Sequence, residues 1–197
     1  MSVYDIIIMV RKMKIKVGIS NRHVHLTQED LNILYGEGYI LTKKVDVNQP
    51  GQFASVETVT LKTDKSEIEN VRILGPVRNY TQAEISKTDA YKLGINPPVR
   101  DSGDIENSAI VTICGPKGEV TKECCILARR HIHVTPKEKE FYHLPNIVSI
   151  KVKGIRSGLM EEVYVKVADN SYFEMHIDTD EANAFLLNND DEVEIIK

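Results

Sequence analysis

The sequence predicts a mainly β protein with short capping α-helices, built as two interlocked β-barrels related by an internal repeat. Three observations carry that expectation. Most of the chain reads as short runs rich in β-branched residues, broken by turn residues, with few helical stretches between them. That is the pattern of closed barrels rather than of a doubly wound sheet. A four-residue stretch occurs twice, as Arg22-His23-Val24-His25 and Arg130-His131-Ile132-His133, at a constant offset of 108 residues. The second copy comes late, with 64 residues after it, too few for a tidy tandem of whole domains. The first strand is therefore expected to pair with the C-terminal segment. One barrel would be residues 14–21 plus 130–197, the other residues 22–129.

In chain order, residues 1–10 hold an apolar run, Ile6-Ile7-Ile8-Met9-Val10. It is too short for a secretory signal and lacks the leading positive charge and a cleavage site, so it reads as a short strand or helix resting on the core. Residues 14–20 are strand-like. In the first repeat Thr27 is a helix cap, Asp30 stands where it can close a capping box, Leu31, Leu34 and Tyr35 give an apolar side, and Gly36 and Gly38 end the helix. Residues 56–62 and 68–74 are strands separated by Asp64-Lys65-Ser66. Ser86-Lys87-Thr88-Asp89 opens a capped helix that ends near Gly94, and Asn96-Pro97-Pro98 and Asp101-Ser102-Gly103 read as loop. Residues 110–114 and 120–127 flank the hairpin signal Gly115-Pro116-Lys117-Gly118. The second repeat has Thr135 as cap, Pro136 at the first helical position and Glu138 closing the box. Strands follow at residues 147–152, 162–167 and 172–177. A last short helix runs from Asp178 through Leu187, and a strand at residues 191–196 closes the chain.

Composition narrows the function. Hydrophobic residues make up 42% of the chain, enough for a packed core and too many for disorder. The net charge of −4 argues against a general nucleic-acid binder. No apolar run is long enough to span a membrane. Cys114, Cys124 and Cys125 form neither a disulfide framework nor a C-x-x-C site, which fits a reducing cytoplasm. Neither a Gly-x-Gly-x-x-Gly nor a phosphate-loop pattern appears.

Chemistry concentrates on the repeats. On an extended strand alternate side chains share a face, so each His-x-His presents two imidazoles together while Val24 or Ile132 turns into a core. Two imidazoles on one strand face are a common beginning of a metal site, and two copies in the same context strengthen it. His176 ends a strand just before a capped helix, as the two pairs do. His143 lies in a helix end or loop and reads as a surface residue. Glu84, in Thr81-Gln82-Ala83-Glu84-Ile85-Ser86, is the best placed acid, although spacing alone reads it as a solvated strand residue. Arg78 follows the Gly75-Pro76 turn and suits an oxyanion clamp, although position alone reads it as an ordinary surface arginine. Arg22 and Arg130 point away from the histidines, across a barrel or toward an anionic ligand.

From about Lys16 onward the chain resembles the PduL-type phosphate acyltransferases, also called phosphate propanoyltransferases or phosphotransacylases. The markers are Ser20-Asn21-Arg22-His23-Val24-His25-Leu26, Leu74-Gly75-Pro76-Val77-Arg78, Thr81-Gln82-Ala83-Glu84-Ile85-Ser86, Arg130-His131-Ile132-His133, and His176 with Asp178 and Asn183. The resemblance implies reversible transfer of a short acyl group, propanoyl or acetyl, between coenzyme A and inorganic phosphate, with acyl-CoA and acyl phosphate as the paired substrates. It implies two zinc ions per chain at the barrel junction, one held by His23, His25 and Glu84, the other by His131, His133 and His176. Arg78 would bind phosphate. Coenzyme A would lie along Ile19, Ser20 and Asn21, with Lys65, Arg72 and Asn183 as further contacts. A zinc with three protein ligands leaves a place for sulfur and favours thiolate, and a second metal can polarise the carbonyl. No side-chain nucleophile is needed, so direct transfer without an acyl-enzyme is expected. A homodimer and a role in propanediol or acetate metabolism are further implications. A free cytoplasmic enzyme is favoured, because only about fifteen residues precede the first strand and residues 4–12 are at best a short amphipathic helix. The lumen of a bacterial microcompartment, with its shell or core proteins as partners, is the alternative.

The main rival is a cupin-like metal enzyme or binding module. His23-x-His25-x-x-x-Glu29 and His131-x-His133-x-x-x-x-Glu138 both fit the cupin spacing. Glu29 and Glu138, however, fall in the first turns of capped helices, where acids suit the helix dipole, while cupin ligands belong on strands. Two structural zinc sites are disfavoured because structural zinc usually closes four protein ligands. Zinc hydrolases of the His-x-His-x-Asp-His kind are excluded by Leu26-Thr27-Gln28 after His25.

Overall fold

The computed structural model describes residues 13–197. The expected short element at residues 1–10 and the amphipathic stretch at residues 4–12 lie outside the described residues. In chain order the first elements are β1 (Met13–Ser20), β2 (His23–His25), α1 (Gln28–Tyr35), β3 (Lys43–Asp46), β4 (Phe53–Lys62), β5 (Glu67–Gly75), β6 (Gln82–Glu84) and α2 (Lys87–Leu93). There follow β7 (Val99–Arg100), β8 (Ala109–Cys114), β9 (Glu119–Ala128), β10 (His131–Val134), α3 (Pro136–Phe141) and β11 (Ile147–Val152). The last are β12 (Gly158–Val167), β13 (Glu174–Asp178), α4 (Thr179–Phe185) and β14 (Glu192–Ile196).

The chain divides into two units. Unit 1 takes residues 13–19, Arg130–Ile177 and Glu181–Lys197; unit 2 takes Ser20–Arg129 and Asp178–Asp180. In unit 1, β1-β13-β10-β12-β11-β14 closes as a six-stranded barrel. In unit 2, β4-β5-β2-β6-β9-β8 returns to β4 and closes likewise. The two circuits share one pattern. Each His-x-His strand pairs in parallel with the second strand of a hairpin, β5 or β12, and antiparallel with a short strand, β6 or β13. Beyond that short strand comes β9 in unit 2 and β1 in unit 1. Each of these two strands runs straight into the other unit's His-x-His, so the sequence of one barrel interrupts that of the other.

Alternation along the strands builds the cores. Val24 is wholly buried in the unit 2 core, with Ile73 and Ala83 beside it in register. Ile132 is buried in the unit 1 core among Val17, Ile150 and Met175. The histidines on either side of Val24 and Ile132 therefore face outward from their barrels.

The helices form where the caps predict. Thr27, Ser86 and Thr135 each accept the backbone N–H three residues on, with reciprocal boxes at Ser86–Asp89 and Thr135–Glu138. Gly94, at φ 70°, ends α2 in the left-handed conformation that a residue lacking Cβ adopts freely. Asp30 differs from expectation. Its backbone meets Thr27, but its buried carboxylate accepts from Thr81 and from Lys122 at 2.6 Å, tying α1 to the residue before β6 and to β9. The structure also contains strands the sequence did not suggest. β3 is an exposed edge strand, and β7 is a two-residue strand beside β9, between the two stretches expected to be loop. β12 begins four residues before the expected strand. No helix among the described residues is long and apolar enough to cross a membrane.

Candidate metal centres and anion site

In unit 2, His23, His25 and Glu84 bring one donor atom each within 4.8 Å of one another. The strand pairing does this: His23 stands directly opposite Glu84, and His25 opposite Gln82. His23 Nδ1 lies 2.9 Å from the Asn21 carbonyl and His25 Nδ1 lies 3.3 Å from the Leu74 carbonyl. A carbonyl only accepts, so both rings carry their proton on Nδ1 and turn Nε2 inward. There Nε2 of His23 is 3.5 Å and Nε2 of His25 is 4.0 Å from the Glu84 carboxylate. Burial lowers the His25 pKa to about 3, helped by the charges of His23 and Arg78 and opposed by Glu84. The ring is neutral near pH 7, the form that ligates a metal without first losing a proton.

Unit 1 repeats the geometry with a third imidazole. His131, His133 and His176 converge within the same limit, and His131 stands opposite His176 across β10 and β13. Nε2 of His131 and of His133 are 3.0 Å apart. Glu84 and His176 thus occupy the same place in the two barrels. Two imidazoles with a carboxylate, and three imidazoles, are donor sets that zinc takes, and each leaves a fourth position. Among the described residues these are the two groups of three or more such side chains that converge.

Arg78 stands beside the unit 2 cluster. Its backbone N–H donates to the Leu26 carbonyl at 2.8 Å. Its guanidinium donates to Tyr80 Oη at 2.8 Å, Gln52 Oε1 at 3.2 Å and Ser102 Oγ at 3.3 Å, and lies over the Tyr80 ring. Among the described residues every one of these partners is neutral, so its charge stays available to an anion. Arg22 and Arg130 contrast with it. Arg22 grips Asp89 at 2.7–2.8 Å, and Arg130 meets Glu181 at 3.1 Å, so each braces the helix that follows Glu84 or His176.

The residues expected to contact coenzyme A are spread more widely. Ile19 and Ser20 end β1 and are half-buried, with Ser20 Oγ 3.5 Å from His23 Nδ1. Asn21 is exposed and accepts from the Arg22 backbone. Arg72 is exposed on β5, opposite His23 in register. Lys65 makes its contacts with Tyr91, through the carbonyl at 3.3 Å and over the ring, apart from the cluster. Asn183 is exposed on α4 in unit 1. Glu29 is exposed, and Glu138 uses its carboxylate in the capping box, so neither joins the histidines as a cupin ligand would. Cys124 and Cys125 are buried thiols, and burial raises both pKa values, that of Cys124 to about 12; neither belongs to the two converging groups found among the described residues.

Sequence reading missed the polar groups around the two clusters and Arg78: Gln52, Tyr80, Gln82, Ser102 and Glu174. A second repeat offset held the signal for two of them. Glu84 and His176 are 92 residues apart, and so are Gln82 and Glu174.

A family model described as phosphate propanoyltransferase matches residues 16–188. A phosphate propanoyltransferase of Thermotoga maritima is 51% identical over 185 residues, covering 92% of this chain and 88% of its own. One of Rhodopseudomonas palustris is 47% identical over 191 residues, covering 95% and 84%. One of Priestia megaterium is 51% identical over 180 residues, covering 90% and 83%.

Proposed function

This chain belongs to the phosphate propanoyltransferase family, and we propose that it moves a propanoyl or acetyl group reversibly between coenzyme A and inorganic phosphate by direct transfer at a di-zinc site. The observation that carries the reading is the convergence of His23, His25 and Glu84, with Arg78 next to them hydrogen-bonded to the neutral side chains of Tyr80, Gln52 and Ser102. His23, His25 and Glu84 would hold one Zn2+, and His131, His133 and His176 the other. Bound zinc would favour the thiolate of coenzyme A and polarise the acyl carbonyl. Arg78 holds phosphate through its planar fork, and Gln52, Tyr80 and Ser102 fix the direction of that fork. Leu74 and Asn21 hold the ring tautomers of His25 and His23. Asn21, Arg72 and Lys65 offer exposed polar or cationic side chains to the phosphates of coenzyme A. The reading includes a cytoplasmic homodimer.

The test is a coupled assay in which acetyl or propanoyl phosphate is mixed with coenzyme A and thioester absorbance is followed. Thioester should form, vanish on chelation, return on adding Zn2+, and fall at least about 100-fold in His25→Ala and His133→Ala. Undiminished turnover by metal-free protein overturns the zinc reading. A burst of covalently acylated protein on rapid mixing overturns direct transfer.

A further inference from the structure

Gln82 has no part in that reading, yet its whole carboxamide is engaged beside the first cluster. It is 0% exposed. Its Oε1 accepts the Gly103 backbone N–H at 2.7 Å. A backbone N–H only donates, so this bond settles which way the amide faces. Nε2 then turns to Glu84 Oε1 at 2.6 Å and Ser102 Oγ at 2.9 Å. Ser102 Oγ in turn accepts from Arg78 at 3.3 Å. We propose that Gln82 is a positioning residue that holds Glu84 by one carboxylate oxygen, aims the cluster's acid ligand, and links it through Ser102 to the anion-binding Arg78.

The repeat supports this independently. Gln82 stands opposite His25, and Glu174 stands opposite His133, each two residues before the third ligand. Glu174 is buried, and its Oε2 lies 2.7 Å from His176 Nε2. A Cβ on Gly18 would fall 2.8 Å from the Glu174 carboxyl carbon, so the bare backbone there makes its room. The partner is matched to the ligand in each barrel. Glu84 is an acceptor and has a carboxamide donor beside it; His176 carries a ring N–H and has a carboxylate. Side chains that merely filled space would not exchange donor for acceptor in step with the ligand. Groups of this kind orient metal ligands and raise metal affinity.

The inference rests on the metal reading above, and its test separates the two. Zn2+ affinity is measured by chelator competition in a His176→Ala background, so that the unit 2 cluster alone is read, and Co2+ visible spectra are recorded on the same protein. Gln82→Met should weaken Zn2+ binding about 10- to 100-fold and shift the Co2+ bands. In the otherwise unaltered chain it should also raise the KM for phosphate. Ser102→Ala should raise the phosphate KM while leaving Zn2+ affinity within about twofold. If Gln82→Met does not fold, Gln82→Glu keeps the volume and the Gly103 bond but replaces the donor by an oxygen, and must shift the Co2+ bands. Unchanged affinity, bands and phosphate KM in the Gln82 variants overturn the inference and leave the metal reading standing. A His176→Ala parent that binds no Zn2+ overturns both.

Discussion

His25 shows how a single ring is prepared by its surroundings. Its proton is directed to Leu74, its burial is nearly complete, and the positive charge of Arg78 opposes any second proton. In the unfolded chain the same ring titrates near its ordinary value of about 6.5. A folded pKa below the unfolded one means that acid favours unfolding: the stability is present above about pH 6.5 and is lost as the pH falls toward 3. Metal-free protein should therefore lose about 2 kcal/mol from this ring between pH 7 and pH 5. Urea unfolding at the two pH values, in the parent and in His25→Gln, checks it, and an equal drop in both removes His25 as the cause.

The repeated element is larger than the four residues that announce it. It comprises the His-x-His strand with its arginine, the short strand opposite, and the helix that follows. Asp89 is the joint of the unit 2 copy. It closes the box with Ser86 and takes the fork of Arg22, sixty-seven residues away in sequence. Its side chain is 5% exposed while that of Arg22 is 37% exposed, so the pair is partly screened. Asp89→Ala should destabilise by about 2 kcal/mol, through a lost cap and a lost partner for Arg22. Asp89→Asn, which can still accept, should fall between that variant and the parent in denaturant midpoint. Equal midpoints for all three would show that the joint carries no stability.

At the scale of the whole molecule the unusual feature is that β1 closes unit 1 although more than a hundred residues separate it from β10. Its inward residues Ile15 and Val17 belong to the core formed by β10 to β14. β1 pairs with β14 through residues 13–16, and Val17 exchanges backbone hydrogen bonds with Asp190 and Asp191. A charge at Val17, which is 0% exposed, would be buried without a partner. Val17→Asp should therefore destabilise by about 3 kcal/mol or more and release amide protection in β11 and β14. Hydrogen exchange reads this directly, and full protection of both strands would contradict it.

Much of this was legible in one dimension. Alternation with period two placed Val24 and Ile132 in cores and turned the histidines the other way, and Thr27, Ser86 and Thr135 marked helix starts, because these are local rules of backbone geometry and hydrogen bonding. The late second repeat pointed to two barrels with an N-terminal strand closing the C-terminal one, because a copied pattern needs a copied set of neighbours. Edge strand β3, the two-residue β7 and the turn of the buried Asp30 carboxylate toward Thr81 and Lys122 were not legible, since each depends on a partner distant in sequence. The same holds for Glu84, which reads as a solvated acid until β6 sets it against His23, and for Arg78, whose guanidinium meets Tyr80, Gln52 and Ser102 where that of Arg22 meets Asp89. Residue type and spacing decided what this chain could bind. Strand register and burial decided which donors meet, because only folding brings groups from different strands within reach.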